Sequence, residues 1–223
     1  MERSKKILIG TDASGARDAA RDGYLVMIVD VIDMSTSLES ALDAGAFAVL
    51  GASPDETRAP VVVDPMKMGE YAADLVRETG RGLILIAEPR VGTDEERLNR
   101  CQKVIQGIKK GNGVIEAVLP NIGAETPKLT NMKGKIVLAV SDTGGVAYDA
   151  AFQENQRVMI GTVARTYKQR GMEPAMTAVN RALAMLQETD TGIAVIAASR
   201  NSMEDVLAAE FIANLLMKEK KLN

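Results

Sequence analysis

The chain has no histidine and no tryptophan, a single cysteine, and aromatic residues at only 3% of its 223 positions. Each shortage closes a route. Without histidine there is no imidazole base, no imidazole metal ligand and no Ser-His-Asp triad. So few aromatics cannot build a stacking platform for nucleic-acid bases. One cysteine cannot form an internal disulfide, so a reducing, cytoplasmic setting is the expectation. No apolar run approaches the roughly 18–20 residues that span a bilayer. The opening MERSKKILIG lacks the apolar h-region of a secretory signal. A net charge of -3 offers no basic surface to nucleic acid or to an anionic membrane. Chemistry is left to carboxylates, hydroxyls, arginine or lysine, a bound metal ion, or Cys101.

The rest of the composition is ordinary for a globular chain, with 46% hydrophobic and 26% charged residues. Its length suits one sizeable α/β domain over 1–223. Apolar runs at 5–10, 24–31, 46–51, 82–88, 113–120, 135–141, 157–163 and 192–199 read as strands. Helical patterns fall at 35–45, 68–80, 93–111, after 142–145, at 174–188 and at 202–220. Only a short charged segment separates the first two strands, and 121–134 reads as a loop. Thr36 and Glu39 have capping-box spacing, as do Ser202 and Asp205, which gives Asp205 a structural reading. In the last helix Met203, Leu207, Phe211 and Leu215 recur at i+4, which predicts one buried face. Strands alternating with helices predict a three-layer α/β/α fold around a mixed, mainly parallel sheet. A weak internal echo links VDVIDMSTSLESALDAGAFAVLG with AVSDTGGVAYDAAFQENQRVMIG, a likeness shared by most βαβ units. Apolar residues beyond a narrow stripe in 202–220, Ile212 and Leu216 among them, point to a homo-oligomer.

In an open α/β sheet, ligands bind beyond the carboxyl ends of the strands. VMIVDVIDMSTSLESALDAG (26–45) places two carboxylates and two hydroxyls at such an end. Asp30 closes an apolar strand, where an unpaired carboxylate is costly unless it is hydrogen-bonded, metal-bound or in a cleft. Asp33 follows in the turn, and Ser35 and Thr36 either cap the helix or meet a ligand at its N-terminus. Glu88 ends GLILIAE as Asp30 ends its strand. Asp142, Thr143, Gly144 and Gly145 form a turn whose backbone N–H groups can approach an anion. Cys101, within a charged helix and without a base partner, reads as a bystander. Carboxylates without histidine or a cysteine cluster select hard cations, and Mg²⁺ is the natural one, held by Asp30 and Glu88.

Three segments together resemble the 2-phosphosulfolactate phosphatase family of coenzyme M biosynthesis. DVIDMSTS stands where that family has D-V-L-R-A-[ST]-[ST]-T, and KIVLAVSDTGGVAY where it has T-T-N-G-T-R-A. IAVIAASRNSMEDVLAAEFIANLL matches its closing strand and Ser-Leu-Glu-Asp-x-Leu-Ala-Ala-Gly helix, and AEPRVG echoes Gly-Glu-Arg-Gly-Gly. The resemblance runs from about residue 24 to 216. It implies a Mg²⁺-dependent hydrolase of a small anionic phosphorylated metabolite, with Asp30, Asp33 and Glu88 holding the metal or activating water. The motif arginine is Asp33 here, and the asparagine and arginine of the second motif are Thr143 and Val146. Guanidinium groups are natural phosphate clamps. Arg90, Arg165 and Arg200, each beyond a strand end, are the candidate replacements. The alternative is a protein that keeps the fold without catalysis and binds a small ligand or assembles with a partner. Convergence of Asp30, Asp33 and Glu88 in one cleft separates the two.

Overall fold

LVMIV and LILIA show no polar alternation, so a sheet built from them has no face for water. Helices must cover both sides. The computed structural model describes residues 5–219. In chain order the elements are β1 (Lys6–Thr11), α1 (Asp12–Arg21), β2 (Leu25–Val29), α2 (Met34–Asp43), β3 (Ala48–Ala52), α3 (Pro65–Thr79), β4 (Leu83–Ala87), α4 (Asp94–Asn99) and α5 (Gln102–Lys110). There follow β5 (Ile115–Pro120), a 3₁₀ turn (Gly123–Lys128), β6 (Ile136–Val140), α6 (Gly144–Glu154), β7 (Val158–Gly161), α7 (Glu173–Met185), β8 (Gly192–Ala197) and α8 (Met203–Leu216).

The expected α/β architecture is present, and every strand pairing is parallel. The strands divide into two four-stranded sheets, β1-β8-β2-β7 and β3-β6-β4-β5, where the sequence suggested one. Helices α7 and α8 cover the outer face of the first sheet, and α3, with α5 packed on it, that of the second. Helices α2 and α6 lie between the sheets, and α1 packs on the first sheet beside α6. Each sheet is thus the centre of a three-layer α/β/α unit, and the two units share their middle layer. The reason lies in α2 and α6. From Met34 to Ala41 and from Gly144 to Phe152 every residue is buried. A helix with no solvent face belongs inside a molecule. Helix α2 carries the chain from β2 in the first sheet to β3 in the second, and α6 carries it back from β6 to β7. These are the two segments that echo each other in sequence.

Other differences have simple causes. Asp12–Arg21 is a helix that the sequence reading passed over, because its buried face is only Ala13, Ala16, Ala19 and Ala20. The pattern at 93–111 breaks into two helices at Arg100 and Cys101. Thr36 lies inside α2, whose N-cap is Asp33, and Glu39 is buried against Arg181. The capping box that does form is Thr93 with Glu96 at the start of α4. The face of α8 is the reverse of the expectation. Ala208, Ala209, Ile212, Ala213 and Leu216 face the sheet, while Met203, Leu207 and Phe211 are exposed. Alanines let this helix lie close to the strands, and its larger side chains turn outward. On the opposite side α3 and α5 meet backbone to backbone. A Cβ on Gly107 would lie 2.0 Å from the Met66 carbonyl oxygen, and one on Gly69 2.1 Å from that of Val104.

Candidate functional site

Parallel strands put all their carboxyl ends on one edge. Here side chains from the two sheets' edges bond to each other. Asp30 follows β2, Thr162 follows β7, Glu88 follows β4, Asn121 follows β5 and Ser141 follows β6. Asp30 joins the two edges. Its Oδ2 accepts the Gly144 N–H at 2.9 Å and the Thr143 hydroxyl at 3.2 Å, so the N-terminus of α6 is fastened to the end of β2. Gly144 is required for this approach, since a Cβ there would stand 2.2 Å from Asp30 Oδ2. The other oxygen, Oδ1, is buried and has no hydrogen-bond partner. Burial pushes the Asp30 carboxyl up to about 7. Negative charge on Asp205 and Asp33 adds to the rise, and the two bonds from Gly144 and Thr143 oppose it.

Around Asp30 the backbone is held by polar side chains. The Asp30 N–H donates to Ser35 Oγ at 3.1 Å, and that hydroxyl donates to the Ile28 carbonyl at 3.0 Å. Thr36 donates to the Val31 carbonyl at 2.7 Å and lies 2.8 Å from the Thr162 hydroxyl. Both side chains are buried in these roles and shape the turn. Asp205, in the first turn of α8, accepts the Val31 N–H at 2.8 Å. Its spacing after Ser202 had pointed to capping. Instead it supplies a second carboxylate beside Asp30. Asp33 forms an ion pair with Arg90 at the mouth of this cluster.

The second part of the site is on the other sheet. Glu88 sits beside Asp142 and 3.7 Å from Arg100, whose guanidinium also bonds Asp142 Oδ2 at 2.7 Å. Burial drives the Glu88 carboxyl up to about 7, the Asp142 charge adds to this, and Arg100 holds it back. Buried Asn121 accepts a 2.6 Å bond from Ser37, and its amide nitrogen has no hydrogen-bond partner. Glu88, Arg100, Cys101, Ser141, Pro54 and Val140 surround a dimple too tight to admit a water molecule. The buried Cys101 thiol is pushed up to about 12, chiefly by burial, and holds its proton at neutral pH.

Asp30, Thr143 and Gly144 are therefore in direct contact, Asp33 adjoins Asp30 electrostatically, and Glu88 joins the same turn through Asp142. Gly145 is a packing residue, because its N–H donates to Ser141 Oγ and a Cβ would reach 2.0 Å from the Ala52 carbonyl oxygen. Two arginines are engaged elsewhere. Arg165 pairs with Glu125 on the 3₁₀ turn at 2.7 Å, and Arg200 pairs with Asp12 at the end of β1. Sequence reasoning missed Arg100, Asp205 and Asn121. A strict search of residues just beyond each strand would have returned Asn121. Arg100 carries no such signal, since its partner is Asp142, far along the chain.

A Mg²⁺ ion needs only one or two protein carboxylates, with water and substrate oxygens completing its shell. Asp30 Oδ1 is of the donor type such an ion takes and has further negative charge beside it, but it is closed off from solvent. Among the described residues no three His, Cys, Asp or Glu side chains are gathered as an all-protein metal cage. No helix among them is long and apolar enough to cross a membrane. Neither the models of known protein families nor the curated proteins contain a match to this chain.

Proposed function

We propose that the protein is a Mg²⁺-dependent, phosphatase-like hydrolase of a small, anionic phosphorylated metabolite, working in the cytoplasm. The observation that carries this reading is Asp30, a buried carboxylate with one anchored oxygen, one free oxygen and like charges beside it. Such a group is costly unless a cation or a proton-transfer role accompanies it. Asp30 and Glu88 would hold the ion, which supplies charge neutralisation on the transferred phosphoryl group. The phosphate would sit at the strand ends beside the Asp33–Arg90 ion pair. Arg90, drawn to the phosphate oxygens, releases Asp33. The Asp33 carboxylate then accepts the proton of the attacking water as the ester P–O bond breaks, and the leaving oxygen takes a proton from solvent. Arg100 acts alongside on the Glu88 side.

The test is release of inorganic phosphate from a panel of phosphorylated small acids, with and without Mg²⁺. The expected result is Mg²⁺-dependent turnover of at least one, lost in Asp30→Asn and Glu88→Gln. If no phosphomonoester is turned over and Mg²⁺ leaves the melting temperature unchanged, the reading fails. One observation favours a second reading, a binding or assembly protein without catalysis. Arg90, Arg100, Arg165 and Arg200 are each already paired with a carboxylate of the chain. Ligand binding measured calorimetrically without any turnover would select it.

A further inference from the structure

The segment between β4 and α4, residues 88–93, carries Glu88 and Arg90 and belongs to no strand or helix. Backbone carbonyls in such a stretch need other donors. Here three of them accept from one side chain. Arg97 in α4 donates from Nε to the Pro89 carbonyl at 3.0 Å, and from Nη2 to the carbonyls of Arg90 at 3.2 Å and Gly92 at 3.0 Å. Its Nη1 reaches Asp94 at 2.9 Å. Arg97 is buried, whereas the Asp94 side chain is 67% exposed, so the carbonyls rather than the ion pair make burial of this cation tolerable. With these carbonyls drawn in on Arg97, side chains of the segment turn out. Arg90 is half-exposed where it meets Asp33, and Val91 is 89% exposed.

We propose that Arg97 is a positioning residue, which fixes the backbone of 89–92 so that Arg90 stands ready beside Asp33 and thereby sets the affinity of the site for phosphate. The ligand in this inference rests on the phosphatase-like reading above. Three observations favour the role. The first is that α4 has its own start. The Thr93 N–H donates to Glu96 Oε2 at 2.6 Å and the Glu96 N–H to Thr93 Oγ1 at 3.2 Å. Arg97 acts on carbonyls upstream of that cap, so its bonds serve the segment rather than the helix. The second is the span that Arg90 must cross. Its segment leaves β4 in the second sheet, while Asp33 is the N-cap of α2, just beyond β2 in the first. A long side chain on a loose loop loses conformational entropy at each binding event, and a backbone already fixed avoids much of that loss. The third is the donor itself. A guanidinium is flat, always charged, and spreads its five N–H groups along a fork, whereas a lysine ammonium gathers three donors at one point. Only the fork matches carbonyls set out along 89–92.

The experiment compares the full-length wild type with Arg97→Lys, which keeps the charge and loses the fork. In limited trypsin digestion read by mass, the fragment ending at Arg90 should form at least about 10-fold faster from Arg97→Lys, because cutting tracks the population of the opened segment. Gly107→Ala, strained on the other side of the second sheet, controls for general loosening and should not release that fragment ahead of its others. Calorimetry with inorganic phosphate and Mg²⁺ then separates positioning from plain support of the fold. Arg97→Lys and Arg90→Ala should each weaken binding about 10-fold, the size of one charged hydrogen bond. The double variant should be no weaker than Arg90→Ala, since Arg97 acts only through Arg90. The ¹⁵N-labelled wild type gives a reading that does not depend on how Arg97→Lys folds. Its Arg97 Nε–H should exchange about 100-fold more slowly than that of Arg90, and phosphate should shift the Arg90 signal and leave that of Arg97 in place. Equal cutting after Arg90 in wild type and Arg97→Lys overturns the proposal. So do losses of phosphate affinity that multiply in the double variant, or an Arg97 Nε–H that exchanges as fast as that of Arg90. A wild type that binds no phosphate defeats the phosphatase-like reading instead, and digestion and exchange still decide whether Arg97 holds the segment.

Discussion

Replacing Asp30 by asparagine should make the protein more stable at alkaline pH and not at acidic pH. The side chain is 1% exposed, and its carboxyl ionises at about 7 in the fold against an ordinary value of 3.8. For a carboxyl the sign is unfavourable. Below about pH 4 it is protonated in both states and costs nothing. As pH rises from about 4 to 7 the unfolded chain gives up the proton and the native state keeps it, so stability falls across that window. Above pH 7 the full penalty is present, about 4 kcal/mol. Asparagine keeps an acceptor for Gly144 and Thr143 but carries no charge. Its amide nitrogen, placed where Oδ1 has no partner, costs about 1–3 kcal/mol at every pH. That constant cancels when two pH values are compared. The stability difference between variant and wild type should therefore move by about 4 kcal/mol in favour of asparagine between pH 4 and pH 8. Urea denaturation in EDTA reads this directly. In thermal melts it corresponds to a relative shift of about 8–16 °C for a chain of this size. A difference independent of pH, or one that turns against asparagine as pH rises, would refute the placement of a buried, cation-seeking carboxylate at the end of β2.

The metal half of the same argument predicts that Mg²⁺ raises the wild-type melting temperature at pH 8 and leaves Asp30→Asn unmoved; an equal response in both proteins removes Asp30 from the metal site. 2-Phosphosulfolactate, which carries both a phosphate and a sulfonate and needs several cationic partners, should be hydrolysed poorly or not at all even with Mg²⁺, because Asp33 and Val146 stand where the phosphatases that hydrolyse it have arginines. If purified protein hydrolyses it efficiently, single changes of Arg90, Arg165 and Arg200 to alanine will show by loss of phosphate release which of them took over the clamp. At the opposite side of the molecule, Gly107→Ala must push α5 away from the Met66 carbonyl and should cost about 1–3 kcal/mol, measured by urea denaturation; an unchanged midpoint would mean that the two helices do not cross in backbone contact.

Strong apolar runs were legible from sequence, and for a physical reason. LVMIV and LILIA can be satisfied only inside a sheet covered on both faces, and both lie within a residue or two of the expected bounds. The strand-end rule likewise pointed to Asp30, Glu88 and the turn at 142–145, because parallel strands leave few places for such residues. What was not legible depends on partners far along the chain or on size rather than polarity. Helix α1 buries alanines, whose signal is faint. The orientation of α8 turned on close approach by alanines rather than on its large residues. The two-sheet division follows from α2 and α6 having no charged face, a sign that was present but is easily taken for a short ordinary helix. Asp205 and Arg100 enter the site through tertiary contacts with Val31 and Asp142, and no local spacing announces those.

The order of strands in the first sheet bears on how the chain is made. Every strand of the second sheet lies between residues 48 and 140, so that sheet can close while the remainder is still being synthesised. The first sheet cannot. Its β8 stands between β1 and β2, pairing Lys6 with Gly192 and Leu25 with Ile193. A ribosome must deliver nearly the whole polypeptide before β1 has a neighbour at all. Contacts this distant in sequence form slowly, since the loop must close before they reward it. The earliest strand therefore waits longest. During that wait Leu8 and Ile9 have no strand beside them and stay open to other chains.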